Sequence, residues 1–201
     1  SFQVMLAKRL WVQQDSPALW KRMNKVCLIS DYLTFFLTGK YATEAGAAGL
    51  TGLIDIHCCR WRPEMLDRFA LHEHQLPPVV RAGTDLGLID PQAARRLGLP
   101  SACRFVVGCL DQYAGAIGAG NVEPGMISET TGTVLATVRC ADHFSTQLSP
   151  AVFQGPAFRA GLYWRMAFGD VSANYLQWYR DKLPDRPDFD QLTALAAPIA
   201  P

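Results

Sequence analysis

The most constraining feature of this sequence is an ordered run of small motifs over residues 108–136, which reads GCLDQYAGAIGAGNVEPGMISETTGTVLA. Just before it, residues 103–108 form a short apolar segment with β-branched side chains, which predicts a buried strand. Asp111 follows this strand at once, and a helix-forming stretch made largely of Ala and Gly comes next. Two strand-like segments, separated by Thr-Thr-Gly-Thr, complete the run. The order predicts strand, carboxylate, tightly packed helix, strand, tight turn and strand.

The two halves of the chain have different patterns. The first half is predicted to be helical, with helix starts at Pro17 and Pro91 and helix ends at Gly39 and Gly98. Its apolar stretch 32–37 predicts a buried helix. The second half predicts strands near 103–108, 126–129, 134–138, 152–155 and 162–167, and then a helix over about 171–183. We therefore predict an α/β fold with an antiparallel component and a domain boundary near residue 103.

The charge and the cysteine pattern argue against several classes of protein: those that bind nucleic acid or membrane surfaces, and those that depend on a zinc site or disulfides. The net charge is +1, with 19 basic and 18 acidic residues, so no basic stripe for nucleic acid or a membrane surface is expected. No apolar run approaches the ~18 residues that span a bilayer, and the first residues lack the pattern of a signal peptide. The six cysteines form neither a CxxC motif nor a zinc-type spacing. Reduced thiols in a cytoplasmic protein without a metal site are the expectation.

Asp111 has two interpretations when it is taken by itself. A carboxylate between a strand and a helix is most often a helix N-cap. The alternative is a general base that takes a proton from a substrate hydroxyl, because ligands collect at strand ends in α/β proteins. Gln112 beside it is either a contact to a ligand's hydroxyl groups or an exposed residue of the first helical turn.

The Thr130-Thr131-Gly132-Thr133 segment also has two interpretations. Between two strands, a turn with Gly is most often a plain hairpin. The alternative is a phosphate loop, in which backbone N–H groups and Thr hydroxyls hold the terminal phosphates of a nucleotide. The sequence contains no GxxxxGK[ST] motif, so this would not be a loop of the Walker type.

Taken together in this order, Asp111-Gln112, the Ala/Gly helix, the Glu-Pro-Gly turn and the Gly-Thr hairpin resemble the start of the second domain of the FGGY carbohydrate kinases. Further segments that resemble this family lie at 8–11, 31–33, 37–39, 43–52, 60–61, 76–79, 98–100 and 175–181. The resemblance covers nearly the whole chain and is closest in kind to the xylulokinases. It implies an actin-like, ribonuclease-H-like ATPase fold, present here in part. Residues 1–103 would then be the C-terminal part of the sugar-binding domain, and 104–201 the beginning of the nucleotide-binding domain.

The same resemblance implies roles for individual residues. Asp111 would be the catalytic base and a substrate contact, and Gln112 a further sugar contact. The nucleotide phosphates would lie at Thr131, Gly132 and Thr133. ATP and Mg²⁺ are the implied cofactors, and no side chain of this chain is assigned as a metal ligand. The implied partners are a small sugar and ATP, with a homodimer as a further candidate.

The implied function is ATP-dependent phosphorylation of a small sugar, with a ketopentose such as xylulose as the first choice. The family's first phosphate loop and its Gly-rich adenosine-binding segment are not found in these residues, so we expect this piece to be inactive alone. Three alternatives stay open: a kinase of another polyol such as glycerol or fuculose, a non-catalytic actin-like protein that binds a nucleotide or a partner, and a helical module without activity. Asp111 favours an enzyme, because a nucleotide switch needs no base.

Overall fold

The computed structural model describes residues 5–132, 135–169 and 172–199. Most helices of the described residues lie in the first half, as the sequence predicts. They are α1 (Met5–Asp15), α2 (Pro17–Arg22), α3 (Ile29–Thr38), α4 (Ala45–Gly49), α5 (Pro63–Arg68) and α6 (Pro91–Leu97), followed in the second half by α7 (Asp111–Gly118), α8 (Ala173–Lys182) and α9 (Phe189–Ala196). A single 3₁₀ turn covers Glu73–Gln75.

The strands of the first half are short and the strands of the second half form a sheet. In chain order they are β1 (Thr43–Glu44), β2 (Ile54–Asp55), β3 (Arg60–Trp61), β4 (Val79–Val80), β5 (Asp85–Leu88), β6 (Arg104–Val106), β7 (Ile127–Thr131), β8 (Leu135–Ala141), β9 (Val152–Pro156) and β10 (Tyr163–Gly169). The last four make an antiparallel sheet in the order β7-β8-β10-β9. Strand β1 pairs with β4 in parallel, while β2 pairs with β3 and β5 with β6 in antiparallel fashion.

One face of the four-stranded sheet holds the core of the second half. Successive residues of β8 and β10 alternate between buried and more exposed positions, as expected when one sheet face is covered. Cys140 lies opposite Trp164, and Val138 lies opposite Met166. Helix α7 covers this face, and its Tyr113 stacks on Trp164 with ring centroids 5.5 Å apart. Of the small residues of α7, Ala116 is buried against the sheet and Ala114, Gly115 and Gly118 are exposed, so the predicted close packing holds for one side of this helix.

A separate apolar cluster stabilises the first half. Its buried members come from the loops and short elements between α2 and β4: Val26, Ala48, Leu53, Ile54, Trp61, Leu66, Leu71 and Leu76. The indole N–H of Trp61 donates to the carbonyl of Pro77 at 2.9 Å, so this large side chain is buried without an unpaired donor.

The ends of several helices confirm the local signals in the sequence. Pro17 and Pro91 occupy the first turns of α2 and α6, where the missing N–H has no intrahelical partner to lose. Asp90 caps α6 by accepting the N–H groups of Gln92 and Ala93. Gly39 and Gly98 follow α3 and α6 with φ of 70° and 67°, the left-handed conformation that ends helices at glycine.

Two predictions of burial are wrong. The segment predicted as a buried strand forms β6, which pairs only with β5 among the described residues, and Val106 is 53% exposed. The apolar stretch 32–37 does lie in a helix, α3, but its residues Tyr32, Leu33, Phe35 and Phe36 are exposed. Apolar composition leads to burial only where another surface covers it, and these rings are covered only in part, with Tyr41 stacked on Phe35 and Arg96 over Phe36.

Two further expectations from the sequence concern the cysteines and membrane-spanning segments. All six cysteines are free thiols; Cys140 is buried, Cys58 is exposed and the others are half-buried. Within the described ranges, no helix has the length and apolar character needed to cross a membrane.

Candidate active site

Helix α7 runs antiparallel to strand β7, which brings its first turn to the β7–β8 turn. Near the end of the helix, the side-chain amide of Asn121 donates to Ser128 at 3.0 Å and to the carbonyl of Val138 at 2.8 Å. One turn into the helix, a Cβ at Gly115 would lie 3.9 Å from the hydroxyl of Thr130. Asp111 lies on the same helix face as Gly115, one turn earlier. It therefore lies toward the end of β7 at which the chain turns into β8.

Asp111 is the first residue of α7, and its side chain is exposed. The N-cap position belongs to Leu110, so the interpretation of Asp111 as the N-cap does not describe its place in this helix. Its Oδ1 accepts the N–H of the next residue, Gln112, at 2.8 Å. An exposed carboxylate at a helix N-terminus can be reached by a substrate hydroxyl, which is what a general base requires.

Gln112 presents an acceptor that lacks a donor. Its Oε1 is buried, and no donor among the described residues reaches it. An unpaired buried carbonyl oxygen typically costs ~1–3 kcal/mol, and a hydroxyl group of a ligand would remove that cost. This oxygen is closed to solvent, so a ligand hydroxyl would reach it only if the side chain turned outward, and the role of Gln112 as a sugar contact stays a prediction.

The predicted phosphate turn begins later than the sequence suggests. Thr130 and Thr131 belong to β7, where they pair with Ala136 and Leu135, and only Gly132 of the described residues lies in the turn. The expectation of a tight turn from Thr130 onward is therefore corrected, because the strand continues through both threonines. Thr133 lies outside the described residues. The carbonyl of Gly132 accepts the N–H of Ala173 at 3.0 Å, which ties this turn to the start of α8.

The fit of this turn to nucleotide phosphates depends on Thr131 and its acidic neighbour. The hydroxyl of Thr131 donates to Glu129 at 3.0 Å, so a phosphate would have to replace that carboxylate as the acceptor. Among the residues described, no three His, Cys, Asp or Glu side chains lie close enough together to hold a metal ion.

Contacts from the first half reach the same helix. The ring of Tyr113 lies between Gly46 of α4 and Gly155 of β9. Burial raises the pKa of the Tyr113 hydroxyl, which finds no hydrogen-bond partner in the described ranges. Glu44 caps α4, and burial raises the pKa of this carboxyl as well. Glu44, Gly46 and Tyr113 have no role predicted from the sequence; the Ala- and Gly-rich composition of 44–52 is a signal for Glu44 and Gly46, and no comparable signal marks Tyr113.

A separate open groove of about 850 Å³ lies away from Asp111. Its lining includes Trp61, His57 and Phe144, and the imidazole of His57 hydrogen-bonds the hydroxyl of Tyr163 at 2.9 Å. None of the predicted site residues lines it. The arrangement at α7 and the β7–β8 turn is therefore the candidate active site on chemical grounds, because that edge holds an exposed carboxylate and an unpaired acceptor.

Comparisons with a family model and with individual proteins both lead to one family. The sequence model of the N-terminal domain of the FGGY family of carbohydrate kinases matches residues 3–118. The chain is 29% identical to a xylulose kinase of Lactococcus lactis over 205 residues, which cover 98% of this chain and 39% of that protein. It is also 29% identical to the autoinducer-2 kinase of Escherichia coli strain K12, over 88% of this chain and 33% of that protein.

Solved structures show the same fold. The xylulose kinase of Lactobacillus acidophilus superposes with a TM-score of 0.90 at 22% identity, over 98% of this chain and 40% of that one. The xylulose kinase of Rhodospirillum rubrum superposes with a TM-score of 0.90 at 24% identity, over 100% of this chain and 41% of that one. The chain thus spans about two fifths of the length of these proteins. The prediction of a partial actin-like, ribonuclease-H-like fold is confirmed.

Proposed function

We propose that this chain, which belongs to the FGGY family of carbohydrate kinases, is part of an enzyme that phosphorylates a small sugar with ATP. The observation that carries the proposal is the placement of Asp111. It is an exposed carboxylate on the first turn of α7, at the end of the sheet where β7 turns into β8. A proton acceptor and a hairpin with a Gly turn at one edge supply a base and a place for phosphate.

We propose a ketopentose such as xylulose as the substrate. The support is that relatives over nearly the whole chain are named as xylulose kinases. Other relatives are named for autoinducer-2, gluconate or glycerol, so a kinase of another polyol is the second candidate. A non-catalytic nucleotide-binding protein is the rival from another class. It would have no use for the exposed Asp111 beside the unpaired acceptor of Gln112.

In the proposed reaction, Asp111 takes the proton of the sugar hydroxyl that attacks the terminal phosphoryl group of ATP. The side-chain amide of Gln112 turns toward the sugar, where its Oε1 accepts a hydrogen bond from another hydroxyl and so orients the substrate. Thr131 and Gly132 face the phosphates, with Thr133 proposed beside them. When bound, Mg²⁺ would neutralise charge on the phosphate oxygens. The new bond joins the sugar oxygen to phosphorus, ADP leaves, and the proton passes from Asp111 to water.

Three predictions from the sequence, on the domain division, the location and the oligomeric state, stay predictions. The division of the chain into 1–103, from the sugar-binding domain, and 104–201, from the nucleotide-binding domain, is one of them. A cytoplasmic location and a homodimer are two more.

The test is Asp111→Asn in the intact kinase. Asn keeps the size of the side chain and can still accept the N–H of Gln112, so the fold and sugar binding should be retained. A positioned general base contributes ~10²–10⁴-fold to the rate, and kcat should fall by that factor. Asp190→Asn is the matched control, because Asp190 is also an exposed acid in the first turn of a helix, α9.

Turnover and melting temperature are measured together for both variants. A folded Asp111→Asn protein that retains more than about a tenth of wild-type kcat would show that Asp111 is not the base. Thermal-shift measurements with xylulose and with glycerol, each with and without Mg²⁺-ATP, then separate the substrate candidates from a protein that binds only nucleotide.

A further inference from the structure

The N-terminal turn of α4 is built around one carboxylate. Glu44 directly precedes the helix, and its two oxygens accept the N–H groups of Gly46 at 2.7 Å and of Ala47 at 2.9 Å. The side chain is half-buried, so it is held among protein groups rather than moving freely in water. Two short bonds to a carboxylate fix the position of this turn of backbone.

This turn of α4 meets the first turn of α7 on both sides of Asp111. Before Asp111 in the chain, the backbone N–H of Leu110 faces the Glu44 carboxylate and acts to lower the pKa of that carboxyl, without the close hydrogen bond that Gly46 and Ala47 make to it. After Asp111, the ring of Tyr113 lies so close to Gly46 that a Cβ there would be 2.8 Å from its Cε2. Leu110, directly before Asp111, thus faces Glu44 itself, and Tyr113, two residues after Asp111, contacts Gly46, which Glu44 holds in place.

Tyr113 cannot easily move away from Gly46. It is 1% exposed and stacks on Trp164, and a Cβ at Gly155 would lie 3.3 Å from its hydroxyl oxygen. The ring therefore has neighbours in α4, β9 and β10 at once. A shift of the α4 turn would be transmitted to the backbone of α7, because a packed interior transmits displacement rather than absorbing it.

We propose that Glu44 is a positioning residue for Asp111. By holding Gly46 against Tyr113 and facing the N–H of Leu110, it sets the backbone of the first turn of α7 and hence the direction of the Asp111 carboxylate. This inference rests on the proposed function, in which Asp111 is the base. A displacement of about 1 Å in a reacting group can lower a rate ~10²-fold, so a loss of roughly 10- to 100-fold is expected when Glu44 is removed.

The first experiment compares Glu44→Ala with Asp90→Ala in the intact kinase. Asp90 caps α6 in the same manner, accepting the N–H groups of Gln92 at 2.9 Å and Ala93 at 3.0 Å, so each variant removes one two-bond cap. Glu44→Ala should lower kcat by about 10-fold or more with little change in the KM for ATP. It should also speed amide hydrogen exchange in the peptide 108–113. Asp90→Ala should lower the melting temperature and leave both quantities unchanged.

A second pair of variants keeps the test decisive if Glu44→Ala does not fold. Leu110 has a φ of −50°, within the range of proline, so Leu110→Pro removes the N–H that faces Glu44 and leaves the helix start possible. Leu110→Ala is its control, because it loses the same side-chain packing and keeps the N–H. The kcat of Leu110→Pro should lie about threefold or more below that of Leu110→Ala, as expected for a weaker contact.

The results separate this inference from the proposed function. If Asp111→Asn abolishes turnover while Glu44→Ala and Asp90→Ala have kcat within twofold of each other, Glu44 does not position the base. Equal kcat values for Leu110→Pro and Leu110→Ala would contradict the inference in the same way. If Asp111→Asn itself retains turnover, the proposed function fails first.

Discussion

Gly46 is the position where one added methyl group should do most harm to the fold. A Cβ there would lie 2.8 Å from Cε2 and 2.9 Å from Cδ2 of Tyr113, and 3.0 Å from an oxygen of Glu44. Carbon atoms in contact normally lie ~3.5–4.0 Å apart, so the methyl group would overlap the ring by more than half an ångström. The ring cannot swing aside, because Trp164 and Gly155 confine it.

The size of the effect follows from two opposing contributions. Forcing an extra methyl group into a packed interior typically destabilises by about 1–3 kcal/mol. Ala in place of Gly inside a helix stabilises by up to about 1 kcal/mol. Gly49, at the end of the same helix, is the matched control, since a Cβ there would lie 3.6 Å from Pro156, an ordinary contact. Gly49→Ala should therefore keep the helix gain without the overlap. Because the helix gain is common to both variants, they should differ by the overlap alone, about 1–3 kcal/mol.

The assay is guanidinium-induced unfolding of wild type, Gly46→Ala and Gly49→Ala at neutral pH, followed by tryptophan fluorescence. Trp164 stacks on Tyr113 and so reports on the affected contact. Gly46→Ala should be the least stable of the three proteins. A Gly46→Ala protein at least as stable as Gly49→Ala would refute this reasoning, because it would mean that the Tyr113 ring can move away from residue 46 without a loss of folding free energy.

Two further predictions concern buried polar groups. Tyr113→Phe should leave the free energy of unfolding within about 1 kcal/mol of wild type, since the hydroxyl has no partner in the described ranges; a loss of 2 kcal/mol or more, by denaturant unfolding, would reveal a hydrogen bond. Asp31 is 2% exposed, and burial raises the pKa of its carboxyl although the N–H of Leu28 and the Thr43 hydroxyl oppose this. A raised folded-state pKa gives stability that is present below the unfolded value, about 4, and is lost as the pH rises through the folded value. The unfolding free energy of wild type relative to Asp31→Asn should therefore decrease from pH 4 upward and then level off; a difference that is constant or rises with pH in unfolding measurements would contradict it.

The helix ends could be predicted because they depend on local chemistry. A proline without an N–H at Pro91, a carboxylate at Asp90 and a glycine at Gly98 each satisfy a requirement of a helix terminus within a few residues. Burial could not be predicted in the same way. The apolar residues of α3 and Val106 look like core residues in the sequence, yet whether they are buried depends on elements far away in the chain.

In the candidate site, too, the features set by local sequence could be predicted, and those that depend on distant parts of the chain could not. Asp111, Gln112 and the Gly132 turn could be proposed from the sequence because their order along the chain is itself the signal. The strand pairing of Thr130 and Thr131 was missed, because threonine suits both a turn and a strand. The contact of Gly46 with Tyr113 joins the two halves of the chain, and a sequence pattern with periods of two or 3.6 residues carries no information about it.

The faces of α7 explain why residues far from the chemistry should matter to it. Tyr113 and Ala116, three residues apart, share one side of the helix and are buried against the sheet. Asp111 and Gly115, four residues apart, share another side that is exposed and meets β7 near Thr130. The helix is short, so the position of its first carboxylate follows directly from how its buried side packs. Since that side is held by Gly46 from the first half and by Gly155 and Trp164 from the sheet, the position of Asp111, the proposed base, depends on both halves together.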